Sequence, residues 1–232
     1  MKAYDGAAMT RGAGVPAPTV MPVDRAEWSR QLNLSNFVNT YYEYRDLQSC
    51  GPGRKLLIVG SGQGLDTVVL RWRGYEVTRV DIDETFEPEV VGSVHDMNMF
   101  PSNAFDAVIA SHVLEHFAEA YLDDALHEIA RVGRYALIYL PVAGRHGMLR
   151  FVPGVRNLDM HAIWDVFNYL HKPDGQTPAF CARQHFWELG RRGFRLRDIR
   201  RRLQGHFEII SAYRNYDWLP SYNFVLRSRA AP

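Results

Sequence analysis

Residues 56–64 read LLIVGSGQG, four apolar residues running into three glycines on alternate positions. A short apolar run closed by a turn signal is the pattern of a buried strand. Glycines at its end let the backbone approach a ligand closely, because no Cβ stands in the way. A helix starting there aims its free N–H groups and positive dipole end at the same place. Gly60, Gly62 and Gly64, with Ser61 and Gln63 between them, supply such a turn. Two familiar phosphate loops do not fit. The dinucleotide fingerprint GxGxxG needs its last glycine where this chain has Leu65, and the Walker GK[ST] is absent.

Outward from the loop, strands and helices alternate. Leu65, Val68, Val69 and Trp72 recur at helical spacing up to Gly74. YEVTRVDID (75–83) reads as a second strand, VVGSV (90–94) as a short third and FDAVIASHV (105–113) as a fourth. Leu122, Ala125, Leu126, Ile129 and Ala130 mark one helix face, and RYALIYLP (134–141) is a strand stopped by proline. This alternation predicts an α/β, doubly wound, mostly parallel sheet with both faces covered. HFEIISAYR (206–214) and YNFVLRS (222–228) are joined too closely for a crossover helix, so they are expected to pair antiparallel.

The organisation expected is a flexible Gly/Ala/Pro-rich lead-in over 1–23, an N-terminal helical cap over 24–49, and the main domain over 50–232. An insertion rich in His, Pro and aromatics, at about 142–182, falls on the side where substrate is expected.

The totals limit the function classes. The chain has 232 residues, 47% of them hydrophobic, and a formal charge of +1, which gives no electrostatic reason to expect nucleic acid or membrane. Cys50 and Cys181 are far apart, with no CxxC spacing for a structural zinc, and fit a reducing cytoplasm. No metal ligand set is read from the sequence. No apolar run reaches the roughly 18 residues of a membrane span, and the N-terminus lacks the apolar stretch of a signal peptide. A cytoplasmic location is the expectation.

An acid at the end of the second strand, about 20 residues after the first glycine, is placed to take ribose hydroxyls. Asp81 directly follows the last strand valine and is favoured, with Asp83 as competitor on the same side. Together, VGSGQG (59–64), VDID (80–83), GSVHDM (92–97), FDAVIASHVLEHF (105–117) and the strand ending in LP (140–141) resemble the class I S-adenosylmethionine-dependent methyltransferases. The type 11 group is the nearest in pattern. The resemblance implies a seven-stranded Rossmann-like sheet and S-adenosyl-L-methionine as cofactor. It implies that Gly60–Gly64 passes under the methionine part, that Asp81 holds the ribose and that Ile82 lies on the adenine. Asp96 would accept from the adenine amino group, the Met97 N–H would reach the ring, and Ser111 and His112 would line the methyl end. One departure stands out: many members carry an acid two residues before the first glycine, where this chain has Ile58.

A general base for a hydroxyl acceptor contributes about 10²–10⁴ in rate. Of nine histidines, His146 follows the fifth strand, where ligand crevices open, and is favoured over His112. His161, His171 and His185 are candidates for lining a substrate pocket. The aromatic trio Tyr41, Tyr42 and Tyr44 either closes over a sulfonium or packs on the sheet. RRGFRLRDIRRRL (191–203) carries seven arginines in thirteen residues, but Phe194, Leu196, Ile199 and Leu203 interleave with them as in an amphipathic helix. The expected activity is methyl transfer to an O or N atom of a small molecule or glycan component. The rivals are a nicotinamide-dependent oxidoreductase, an RNA methyltransferase and a non-catalytic methyltransferase-like partner protein.

Overall fold

The computed structural model describes residues 33–151, 160–166 and 184–229. In chain order its elements are α1 (Leu34–Leu47), β1 (Lys55–Val59), α2 (Leu65–Trp72), β2 (Glu76–Asp81), β3 (Val90–Val91), β4 (Phe105–Ser111) and α3 (Leu122–Val132). They continue with β5 (Gly133–Pro141), β6 (Arg145–Phe151), β7 (Met160–Val166), α4 (Leu196–His206), β8 (Phe207–Arg214) and β9 (Ser221–Ser228). The expected start of the first helix near Asp24 and the lead-in over 1–23 lie outside the described residues.

Seven strands form one sheet in the order β3-β2-β1-β4-β5-β9-β8. The first five are mutually parallel, and β9 runs antiparallel between β5 and β8. This is the doubly wound sheet with an antiparallel tail that the strand spacing predicts. Period-2 alternation divides the core. Leu56 and Ile58 pack with Tyr42, Leu47, Leu70 and Tyr139 under α1 and α2. Leu57 and Val59 face the other way, against Leu126, Ile129, Ile199 and Leu203 of α3 and α4. Strands buried on both sides read as continuous apolar runs, hence LLIV and AVIA. On α3, Leu122, Ala125, Leu126, Ile129 and Ala130 are all buried, each leucine or isoleucine worth roughly 1.5–3 kcal/mol.

The weak periodicity after Pro141 hides an antiparallel hairpin of β6 and β7, in which Gly147 pairs with Trp164. Glycine is required there, because a Cβ would lie 2.2 Å from Trp164 Cε2. Leu149, Phe151, Met160 and Trp164 are exposed on this hairpin, so no core imposed an apolar rhythm on it. Phe167, Tyr169, His171 and Phe180 lie outside the described residues.

Helix α4 buries Ile199 and Leu203. Among the basic stretch, Arg191 pairs with Glu188 and Arg202 with Glu119, while Arg200 donates to the Tyr222 hydroxyl. From Leu196 onward the arginine run is an amphipathic helix, while Arg191, Arg192 and Arg195 precede it. Among the described residues no helix is long and apolar enough to cross a membrane.

Candidate functional site

The carboxyl ends of β1, β2 and β4 converge on the glycine loop. Gly60, Gly62 and Gly64 have φ of 65°, 46° and 70°, the left-handed region in which a Cβ is strained. At Gly60 a Cβ would also stand 2.6 Å from Val113 Cγ2, so this glycine serves internal packing as well as ligand approach. Asp81 is 7% exposed. Its Oδ2 accepts from the Gly62 N–H at 3.1 Å and its Oδ1 from the Asp83 N–H at 3.0 Å. A carboxylate has about four acceptor sites, so two are left for further donors. Asp83 is engaged elsewhere: it accepts from the Thr85 N–H at 2.9 Å and caps a short 3-10 turn. Ile82, between them, is 40% exposed.

Asp96 is half-buried and accepts from Asn98 Nδ2 at 2.6 Å. Met97 departs from expectation. It is fully buried, and its N–H donates to Glu128 Oε2 at 2.7 Å while its carbonyl accepts from Arg131 Nη2 at 2.9 Å. The Glu128–Arg131 pair of α3 therefore occupies the backbone donor assigned to an adenine ring.

His146 departs further. Its Nε2 faces the Val142 carbonyl at 3.1 Å, and its Nδ1 faces Asp165 Oδ1 and Arg214 Nη2, both at 2.8 Å. Nδ1 ties β6 to β7 and β8 and Nε2 ties it to the segment after β5, which leaves neither for an acceptor proton. His112 is differently placed. It follows half-buried Ser111 at the end of β4 with φ of 55°, a sparsely populated conformation for a non-glycine residue. Its Nε2 lies 3.1 Å from Ser221 Oγ, and its Nδ1 lies 3.6 Å from Glu115 Oε1. Behind Ser221 a polar chain runs through Asn223 and Tyr213 to Asp46.

Of the tyrosines of α1, Tyr42 and Tyr44 pack, while Tyr41 is exposed. Tyr42 is buried, donates to Asp217 Oδ2 at 2.8 Å and stacks on Tyr213, while the Tyr44 hydroxyl accepts from Arg73. The polar residues of that helix were missed. Glu43 is 2% exposed, interacts with Ser111 and Asp66, and has an Oε2 with no hydrogen-bond partner. Burial, with Asp66 and Asp46 near, pushes its carboxyl up to about 8 against the hydrogen bond to Ser111. Burial likewise pushes Asp66 up to about 6, against hydrogen bonds from Thr67 and the charge of Arg79. Asn39 Oδ1, Ser61 Oγ and Gln63 Nε2 are also buried without partners. A signal was present in the sequence: Asn39, Glu43 and Asp46 fall at i, i+4 and i+7, one stripe of a helix.

Orphaned buried polar atoms are uncommon and call for an explanation. Around a glycine turn that ends in an acid-bearing strand, they fit a ligand with ribose hydroxyls at Asp81 and a cationic end at Glu43 and Asp66.

Residues 57–135 match the family described as methyltransferase domain. No curated protein matches the chain. Among solved structures, the sugar N-methyltransferase KedS8 from Streptoalloteichus sp. is similar at a TM-score of 0.59 and 13% identity, covering 96% of this chain and 100% of that one. PH0226 from Pyrococcus horikoshii OT3 follows at 0.54 and 15%, covering 86% and 93%. The 1,6-didemethyltoxoflavin-N1-methyltransferase of Burkholderia thailandensis, solved with S-adenosylhomocysteine, matches at 0.51 and 18%, covering 92% and 93%. The fold is thus the Rossmann-like methyltransferase fold. Within that fold, residues 57–135 are the part that resembles the methyltransferase domain family.

Proposed function

We propose that the chain transfers a methyl group from S-adenosyl-L-methionine to an oxygen or nitrogen of a small molecule or glycan component. The observation that carries this reading is the contact between Gly62 N–H and Asp81 Oδ2, with unpartnered polar atoms at Ser61, Gln63, Asn39 and Glu43. The cofactor, when bound, supplies an electrophilic methyl on a sulfonium. Everything else falls to the chain's own residues. Gly60–Gly64 gives room for the methionine part, Asp81 accepts from the ribose, and Ile82 offers apolar surface to the adenine beside Asp96. Glu43, seconded by Asp66, takes the ammonium in place of the acid that Ile58 replaces. Ile58 faces α1 and α2, so the missing charge comes from the helix opposite the strand.

Displacement at a methyl depends mainly on alignment, and well-oriented groups reach effective molarities of roughly 10⁵–10⁸ M. Ser111 and His112 are the residues that meet the acceptor; His112 Nε2, which faces the Ser221 hydroxyl rather than an ion pair, takes the acceptor's proton where one must leave. The β6–β7 hairpin forms the acceptor side, as part of a domain that runs from about residue 50 onward. The unpaired buried Cys50 suits a reducing, cytoplasmic setting. Two of the fold neighbours are described as a sugar N-methyltransferase and a 1,6-didemethyltoxoflavin-N1-methyltransferase, which puts amino sugars and other small nitrogen acceptors first in an acceptor screen.

The test is calorimetric titration with S-adenosylhomocysteine, with NAD in parallel. The former alone should bind, and Asp81→Ala should weaken it about tenfold or more, the loss of a charged acceptor. Binding of NAD alone would replace the reading with an oxidoreductase, and binding of neither with a non-catalytic relative.

A further inference from the structure

Just beyond His112, the turn Leu114–His116 carries a second polar cluster that methyl transfer does not use. Glu115 is completely buried, and neither carboxylate oxygen has a hydrogen-bond partner. A buried ionised carboxylate costs several kcal/mol unless it is compensated, and what stands nearest this one is imidazole, His112 at 3.6 Å and His185 at 3.9 Å. One ligand atom each from Glu115, His116 and His185 lie within 4.8 Å of one another. We propose that these three residues bind a zinc-type divalent cation that ties the turn after β4 to the segment returning at Gln184.

Three features make this a built site. His116 Nδ1 faces the Gln184 carbonyl at 3.2 Å, and His185 Nδ1 faces Glu188 Oε1 at 3.1 Å, with Glu188 held in turn by Arg191. Metal-bound imidazoles are oriented in this way, the outer nitrogen on a carbonyl or carboxylate and the other turned to the ion. His185 Nε2 is the atom turned to Glu115, 3.9 Å from Oε1. Second, the Phe186 N–H donates to the Glu115 carbonyl at 2.8 Å, so the two ligand-bearing segments are joined before any ion arrives. Third, His112 Nδ1 stands 3.6 Å from the same Oε1, a further nitrogen on the open side.

Two imidazoles and a carboxylate suit zinc, whereas magnesium and calcium prefer all-oxygen sets. Ligand atoms about 2.0–2.2 Å from zinc sit roughly 3.3–3.6 Å apart in a tetrahedron, so the cluster closes by about an ångström on binding. The cysteine argument against a structural zinc does not touch a site built from histidine and glutamate. The proposal does not rest on the methyl-transfer reading, with which it shares only His112 at its edge.

The experiment uses the full chain, without a histidine tag and stripped by chelator, titrated with Zn²⁺ at pH 7 and with Mg²⁺ as control. One zinc per chain should bind with micromolar or tighter affinity and raise Tm, while Mg²⁺ does neither. Co²⁺ should give the visible absorption of a four-coordinate site. His185→Ala and the milder His116→Gln should each weaken zinc at least about tenfold. Absence of zinc binding by the wild type overturns the proposal. So does wild-type stoichiometry and affinity in both variants, which would assign the ion to other histidines such as the neighbouring pair His127 and His206.

Discussion

Two polar regions at the same end of the sheet behave in opposite ways. At the root of the β6–β7 hairpin, His146, Asp165 and Arg214 satisfy one another. At the ends of β1 and β4, Asn39, Glu43, Ser61 and Gln63 bring buried atoms that nothing satisfies. Both regions hold buried or half-buried titratable groups, and by sequence the first looked the more reactive. The difference teaches that saturation marks a group recruited for the fold. A group left wanting a partner in a place the fold has otherwise completed is the better candidate for a ligand.

The contrast breaks most sharply at Gly62. Gly62→Val should abolish S-adenosylhomocysteine binding, a loss of at least about a hundredfold, while melting stays cooperative. Its φ of 46° is unsuited to a β-branched residue. Retained binding would sink the argument from the loop.

Glu43→Gln sharpens the comparison. S-adenosylhomocysteine should bind about tenfold more weakly, at the lower end for a charged hydrogen bond, and 5′-methylthioadenosine, which has no ammonium, should bind as before. Stability should move the other way. The folded carboxyl, at about 8, keeps a proton that the unfolded chain releases near its ordinary value. Wild-type stability therefore falls as pH rises from about 4.5 to 8. The variant lacks this loss, so its Tm should exceed wild type at pH 8, with the gap closing below pH 4.5. Equal melting curves at both pH values would mean that Glu43 is not a strained acid.

His146→Ala tests the saturated region. It should cost about 1–3 kcal/mol by leaving Asp165 and Arg214 short of a partner, with cofactor affinity unchanged. A variant of wild-type stability but slower transfer would return His146 to the chemistry. The smallest effect is expected at Glu89. Burial pushes it up, but the hydrogen bonds from Arg79 and Arg71 together outweigh this and hold it down to about 2. Its stabilisation is present above pH 4.5 and lost as pH falls toward 2. Being partly exposed, it is worth no more than about 1 kcal/mol after solvent screening. Glu89→Gln should therefore narrow the gap between acid and neutral melting temperatures only slightly.

The strands were legible because burial on both faces forces long apolar runs: KLLIVG, FDAVIASHV and RYALIYLP all became strands of the sheet. The glycine loop and Asp81 were legible because unusual backbone and a strand-end acid need particular residue types. The β6–β7 hairpin was not, since its faces bury no common core. Glu43 was not, because an acid in a helix usually faces water, and only the packing of α1 on the sheet turns this one inward. His146 misled because its position after a strand is visible in the sequence, whereas its partners Asp165 and Arg214 lie far along the chain. The Met97 amide was lost to Glu128 for the same reason.

The sheet order also sets a timetable. Strand β9 completes the sheet beside β5, yet 87 residues separate the end of β5 at Pro141 from the end of β9 at Ser228. At about 5–20 residues per second, a ribosome needs roughly 4–17 s to cover that distance. Through that interval the half bearing the glycine loop is already made, and the long apolar edge of β5 waits unpaired, open to pairing with another nascent chain. The vulnerable moment in this protein's life falls before its last strand is synthesised.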